Sequence, residues 1–189
     1  AKIKTRLADY HQKYPLRPGM PKEELHSREF SQINAKTFNL MLDYWTHEKE
    51  IRLENQNLAL PEFKPRLTAK MEIVVNKIEA NLLNNPFSPP GWDMLAENVE
   101  ISGETKNELF LWLLNNQRIV KISDEVILHS QAFAQAKEII GSYIKENGSI
   151  QLAETRDLLK TSRKYALPLL EYLDQVKFTR RKGDLRVLF

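Results

Sequence analysis

Lys177-Phe178-Thr179-Arg180-Arg181, a polar turn at Lys182-Gly183-Asp184, then Leu185-Arg186-Val187-Leu188 close the chain as two short β-rich runs behind a long amphipathic helix. The same ending occurs twice upstream. Arg118-Ile119-Val120-Lys121-Ile122 is followed by Glu125-Val126-Ile127-Leu128, and Glu50-Ile51-Arg52-Leu53 by Asn57-Leu58-Ala59-Leu60. Ile51 and Ile119 lie 68 residues apart and Ile119 and Phe178 lie 59 apart, so the 189 residues divide into three small units.

The order of elements ahead of each hairpin is also shared. Unit one reads as a helix over Ile3 to Tyr14, a turn at Pro15-Leu16-Arg17-Pro18-Gly19, a short helix over Lys22 to Glu29 and a longer one over Asn34 to His47. Unit two repeats this with Leu67 to Asn84, the breaker Asn85-Pro86-Phe87-Ser88-Pro89-Pro90, a short helix over Gly91 to Asn98 and a longer one over Gly103 to Asn116. Unit three gives Gln131 to Asn147, a stop at Asn147-Gly148, Leu152 to Leu159 and Ser162 to Gln175. Asn34, Ser102 and Thr161 or Ser162 stand where N-caps are wanted. Helix, short helix, long helix and hairpin is the pattern of a winged helix-turn-helix domain. The expected fold is mainly α with small β wings, a tandem array of such domains over 1–63, 64–130 and 131–189. Units of this size bury little surface alone, so they are expected to lean on one another through helical contacts. With short links at Pro61 to Pro65 and at Ser130, a stiff rod or L is expected.

Composition narrows the chemistry. No Cys is present, which excludes a disulfide framework and a thiolate zinc site, and the four His are scattered. The 42% hydrophobic content supports packed cores, yet no apolar run approaches the roughly 18 residues that span a bilayer. No membrane association is expected. Only six Gly occur, and no phosphate-cradling GxxxxGK[ST] or GxGxxG is among them. The chain opens Ala1-Lys2-Ile3-Lys4, without Met or an apolar leader, as expected of numbering that starts inside a longer protein. No catalytic function and no bound cofactor or metal are expected of these residues.

Charge separates the three units. The chain carries 28 Lys and Arg against 25 Asp and Glu, a net +3. Residues 1–63 hold ten basic against nine acidic side chains, 64–130 seven against nine, and 131–189 eleven against seven. In a winged helix the third helix and the wing are the usual nucleic-acid surfaces. Unit two's third helix, Asn107 to Leu114, is apolar nearly all round and reads as buried. Unit one's, with Lys36 against Asp43, reads as a spacer. In unit three Lys160, Arg163 and Lys164 crowd the start of the third helix, where cations oppose the macrodipole until an anion neutralises them. Its wing adds Lys177, Arg180, Arg181, Lys182 and Arg186, drawn together by a tight turn at Gly183-Asp184. Tyr165 has two readings, a base-stacking platform beside Arg163-Lys164 or a core residue on one face with Leu169 and Tyr172. Pro168 inside this helix predicts a kink or an irregular first turn.

The remaining residues point to structure. His11, His26, His47 and His129 show no metal-ligand spacing and read as surface or packing residues. Glu23-Glu24 and Glu48 with Glu50 lie near helix ends without a polar cleft, which gives no support to acid–base catalysis. Trp45, Trp92 and Trp112 read as core.

Leu159-Lys160-Thr161-Ser162-Arg163-Lys164-Tyr165-Ala166-Leu167-Pro168-Leu169-Leu170-Glu171-Tyr172-Leu173-Asp174, with Phe178-Thr179-Arg180-Arg181 and Gly183-Asp184-Leu185-Arg186, resembles the C-terminal end of the bacterial selenocysteine-specific elongation factors, the SelB family. Tyr14-Pro15-Leu16-Arg17-Pro18-Gly19-Met20-Pro21-Lys22-Glu23-Glu24-Leu25 is similar to an earlier winged-helix repeat of that family. The likeness is strongest after residue 148, fair over 1–63 and weak between.

The resemblance implies the second, third and fourth of four winged helices, with GTP and Mg²⁺ held by a GTPase part outside these residues. It implies an RNA-binding module that recognises the selenocysteine insertion (SECIS) hairpin of an mRNA, so that selenocysteyl-tRNA reaches UGA codons on the ribosome. Pro168 is part of the family's motif at this place. The implied RNA-binding residues are Ser162, Arg163, Lys164 and Tyr165 at the helix start and Arg180, Arg181, Lys182 and Arg186 on the wing. Four to six neutralised phosphates would give a log–log salt slope of about −3 to −5. The other two units are expected to act as spacer and hinge, with Arg17 and Lys22 available to the ribosome or tRNA. The expected state is a cytoplasmic monomer. The competing readings are a DNA-binding winged-helix transcriptional regulator, which would want duplex DNA and spaced half-sites, and a protein-interaction array, which would want an exposed apolar patch.

Overall fold

The computed structural model describes residues 2–189 and, from residue 3 onward, their side chains. They fall into two compact bodies, one ending at Glu72 and one running from Ile73 to Phe189.

The first body is built from α1 (Lys2–Lys13), β1 (Met20–Pro21), α2 (Lys22–Glu29), α3 (Ala35–His47), β2 (Arg52–Glu54) and β3 (Asn57–Ala59). Helical spacing puts Ile3, Leu7 and Tyr10 of α1 and Phe38 and Leu42 of α3 on inward faces, where they close on Leu25, Met20, Ile51 and Leu58. Asn34 caps α3 as expected, its Oδ1 accepting from the Thr37 amide at 2.9 Å.

The strands form an antiparallel sheet in the order β1-β3-β2. β1 was not legible in the sequence, because two residues carry no period. It pairs through a close approach: a Cβ on Gly19 would stand 2.5 Å from the Leu58 carbonyl oxygen, so only glycine admits the neighbouring backbone. The segment after β3 folds back on this body. Leu60 N donates to His11 Nε2 at 3.1 Å, Phe63 stacks on the His11 ring with centroids 3.6 Å apart, and Arg66 N donates to the Pro15 carbonyl at 3.0 Å.

The second body holds two winged helices. α4 (Ala69–Asn84), which belongs to this body from Ile73 on, α5 (Trp92–Asn98), α6 (Gly103–Asn115), β4 (Ile119–Lys121) and β5 (Ile127–His129) make one. α7 (Ser130–Asn147), β6 (Ile150–Gln151), α8 (Leu152–Leu159), α9 (Arg163–Gln175), β7 (Thr179–Lys182) and β8 (Leu185–Leu188) make the other. The latter carries a three-stranded antiparallel sheet, β6-β8-β7, whereas the former has only the β4-β5 hairpin. Pro89 and Pro90, ahead of α5, supply no amide for a third strand.

No residue separates the two winged helices: β5 ends at His129 and α7 begins at Ser130. Their core is continuous. Ile122, Val126 and Leu128 from the first of the two hairpins bury against Ala136, Ile140 and Ile144 of α7 and Leu169, Leu170 and Leu173 of α9. These two domains lean on one another through the wing and the Phe87 loop of the first, packed on helices α7 and α9 of the second.

Three local expectations change, and of the two outcomes expected of Pro168 the structure takes the irregular first turn. Ser102 and Ser162 occupy N-cap positions in extended backbone, yet neither side chain makes a capping bond. Only one face of α6 is buried, by Leu109 and Leu113, while Leu111 is 56% exposed. Trp45, Trp92 and Trp112 are half-buried at core margins. α9 runs through Pro168 without a break, and its irregularity sits in the first turn, where Ser162 O accepts from both Tyr165 N (3.1 Å) and Ala166 N (3.0 Å). Among the described residues no helix is long and apolar enough to cross a membrane.

Candidate nucleic-acid interface

α8 stops when Lys160 turns left-handed (φ 47°) and Thr161 N closes back on the Arg156 carbonyl at 3.0 Å. Three residues later the chain is helical again, so Arg163 and Lys164 are the first two residues of α9. Both are exposed, as is Ser162. The first turn holds no acidic residue, and its first two amides, of Arg163 and Lys164, precede the bonds that Tyr165 N and Ala166 N make to the Ser162 carbonyl. Two cations and the first two amides of α9 thus lie at the same helix end.

The wing sorts its cations by strand alternation. The register pairs Arg181 with Arg186 and Lys182 with Leu185 across a two-residue loop, Gly183-Asp184. Gly183 sits at φ 62°, which glycine reaches without strain, so the expected tight turn is present. Side chains alternate along β7: Thr179 and Arg181 lie on one face and Arg180 and Lys182 on the other. Arg180, Arg181 and Lys182 are all exposed, and Arg181 Nε donates to the Gly183 carbonyl at 2.8 Å, which folds its guanidinium over the turn.

Two of the eight expected contact residues lie elsewhere. Arg186 is only 3% exposed. Its Nε lies 3.3 Å from Asp174 Oδ2, while Asp174 Oδ1 accepts from the Thr179 hydroxyl at 2.6 Å. Facing inward from β8, Arg186 ties the wing to α9 and offers nothing to a polyanion. Tyr165 packs against the core beside Tyr172, and its hydroxyl donates to the Pro89 carbonyl at 3.1 Å. Of its two readings the structure takes the core one, because a half-buried ring with its hydroxyl engaged is not a free stacking platform.

The remaining five cations differ from several arginines of the chain. Arg6 pairs with Glu29, Arg28 with Glu24, Arg52 with Glu54, and Arg118 grips Glu79 with two bonds of 2.7 and 2.6 Å. Among the described residues none of Arg163, Lys164, Arg180, Arg181 and Lys182 forms an ion pair; Lys164 leans over the Tyr165 ring at 5.7 Å. Exposed Lys160 and, on α8, Arg156 extend the same surface. Exposed cations gathered on one helix start and one wing mark an anion-binding face.

Three of the four histidines have structural roles, and His47 is exposed. His11 Nε2 accepts from Leu60, His26 Nε2–H donates to the Ile33 carbonyl at 2.7 Å, and His129 Nδ1 accepts from Gln131 N at the start of α7, with Nε2 3.5 Å from Glu79. Burial pushes the His11 imidazole down to about 4, and Arg52 adds to the shift. Among the described residues no three His, Asp or Glu side chains gather as a metal site.

Comparison with known proteins accords with this geometry. Residues 4–60 and 142–188, together more than half of the chain, match the family models described as elongation factor SelB, winged helix, the first as its second such domain and the second as its third. The chain belongs to the SelB winged-helix family. SelB relatives match along nearly its whole length. A selenocysteine-specific elongation factor of Desulfomicrobium baculatum is 26% identical over 180 residues, 95% of this chain and 28% of that protein. That of Escherichia coli is 25% identical over 188 residues, 99% of this chain and 30% of that protein. The chain thus spans less than a third of the length of these SelB proteins.

Two solved SelB-type structures share the fold. One is the mRNA-binding domain of E. coli SelB in complex with SECIS RNA, at TM-score 0.53 and 24% identity, covering 65% of this chain and 98% of that one. The other is a bacterial selenocysteine-specific elongation factor, at TM-score 0.59 and 18% identity, covering all of this chain and 28% of that one.

Proposed function

We propose that this chain is the mRNA-binding region of a selenocysteine-specific elongation factor and that its last winged helix grips a SECIS hairpin. The observation that carries the reading is the set of five exposed, unpaired cations on the start of α9 and on the wing. The family match and the RNA-bound SelB relative support it. Arg163, Lys164 and the α9 amides hold phosphates at the helix end, and Arg180, Arg181 and Lys182 hold them from the wing. Side chains cannot enter the narrow major groove of A-form RNA, so an unpaired loop or bulge provides the sequence-specific edge. Phosphate contacts set the register.

The consequence follows from effective concentration. A factor anchored to the message beside a UGA codon delivers selenocysteyl-tRNA to the ribosome as an intramolecular event, at local concentrations on the order of millimolar. In this reading the chain works by binding rather than catalysis, as a monomer in the cytoplasm, and GTP with Mg²⁺ is handled by other parts of the factor. The winged helices of residues 1–63 and 64–130 serve as spacer and hinge.

A labelled SECIS hairpin is titrated with this chain at fixed salt, with a scrambled hairpin and a DNA duplex of equal length as competitors. Tight binding to the SECIS hairpin alone, lost in Arg163→Ala plus Arg181→Ala, is the expected result. Equal or tighter binding to DNA would replace this function with that of a DNA-binding regulator.

A further inference from the structure

The start of α9 carries the cations but lacks the device that usually holds a helix end. Ser162 makes no side-chain cap, the first turn has no acidic residue, and Pro168 removes the amide that would bond the Lys164 carbonyl. What holds it comes from the neighbouring winged helix. The Thr161 hydroxyl donates to the Phe87 carbonyl at 2.6 Å, the Ser88 hydroxyl lies 2.7 Å from Thr161 Oγ1, and the Tyr165 hydroxyl donates to the Pro89 carbonyl at 3.1 Å. Since Thr161 uses its own proton on Phe87, Ser88 is the donor in the second bond, and the three groups form a chain, Ser88 to Thr161 to Phe87. Phe87 is packed against the core that α7 and α9 share.

The two anchored residues bracket the exposed triplet Ser162-Arg163-Lys164. Neither anchor belongs to the winged helix that carries the cations.

We propose that the loop Phe87-Ser88-Pro89 is a positioning element for RNA binding: through Thr161 and Tyr165 it presets the backbone from which Arg163 and Lys164 reach phosphates. The inference rests on the reading of α9 and the wing as the RNA surface. It assigns the middle winged helix a part in affinity that a spacer would not have. Thr161 and Tyr165 are accordingly positioning residues, and the loop that holds them needs no contact with RNA. Prearranging the grip lowers the ordering cost at binding.

The test uses the full chain and a SECIS hairpin, with affinity measured across a salt series and amide exchange measured on the free protein. Tyr165→Phe keeps the ring and removes the hydroxyl, Thr161→Val keeps the shape and removes the relay, and Ser88→Ala acts from the other winged helix. A hydrogen bond's usual net worth makes each of the first two variants bind about fivefold more weakly. Ser88→Ala falls in the same direction by less, because Thr161 keeps its bond to Phe87. The salt slope is unchanged in all three, while exchange of the Tyr165 and Ala166 amides, both bonded to the Ser162 carbonyl, speeds up.

Arg163→Ala serves as the control, losing affinity and flattening the slope by about one phosphate. Parent-like affinity in Tyr165→Phe and Thr161→Val overturns the positioning role. So does a loss confined to Tyr165→Phe with amide exchange unchanged, which would make its hydroxyl a direct RNA contact. Parent-like binding and slope in Arg163→Ala instead sink the reading of the RNA surface itself.

Discussion

Arg186 and Arg181 face each other across the wing, and burial alone separates their roles. Arg181 is solvated at the turn; Arg186 is held between Asp174 and the core. Removing one partner of a buried charge pair strands the other, so Arg186→Ala is expected to lose about 3 kcal/mol in urea denaturation. At a temperature where the variant is fully folded, its RNA affinity keeps the parent's salt slope. A slope flatter by one would return Arg186 to the interface. Arg181→Ala behaves oppositely: stability holds within about 0.5 kcal/mol, as at most exposed sites, and the slope flattens by about one.

His11 gives a prediction in pH. Its imidazole is held down near 4 in the folded chain against 6.5 when free, so between those values the unfolded chain binds the extra proton. Stability of the first body is therefore whole above pH 6.5 and falls as the pH drops toward 4. The slope is at most about 1.4 kcal/mol per pH unit. Chemical denaturation at pH 7 and pH 4.5 checks it. His11→Phe, which keeps the stack on Phe63 but cannot take up a proton, flattens the dependence.

At the scale of elements, what repeats was legible and what closes by contact was not. Periodicity placed the helices to within a residue or two because α1, α3 and α9 each bury one stripe. β1 and β6 escaped it because each has only two residues and exists through a partner strand far along the chain. The basic helix end and wing could be read from charge. The withdrawal of Arg186 could not, because alternation along β8 becomes decisive only once α9 lies beneath it, and Tyr165 was undecidable until its hydroxyl met Pro89.

The close pairing of β1 can be tested. Gly19→Ala sets a methyl group against the Leu58 carbonyl, which is backbone and cannot step aside. The variant is expected to lose at least about 2 kcal/mol of stability in the first body, with earlier exchange of the β1–β3 amides. Gly183→Ala, at an open wing turn with φ 62°, costs less, about 1 kcal/mol of backbone strain alone.

At the scale of the molecule, the body from Ile73 to Phe189 is one compact unit that carries two copies of a motif. Its shared core of Ile122, Val126 and Leu128 with Ile140 and Leu170 cannot be dismantled on one side only. A single cooperative transition is expected for this body. Leu128→Ala, removing a side chain 2% exposed, should cost about 2–5 kcal/mol and speed amide exchange equally in α6 and α9. Protection lost in α6 alone would show two independent domains.

The junction between His129 and Ser130 also fixes an angle. With no slack between strand and helix, α7 inherits its rotational phase from β5, and Ser130 N is held to the Arg118 carbonyl at 3.0 Å. One inserted residue would turn α7 by about 100° about its own axis. Ala136, Ile140 and Ile144 would swing away from the hydrophobic seam, and the cations beyond them would be aimed elsewhere. The length of this junction has no freedom, and a single added or deleted codon here would do more harm than most substitutions.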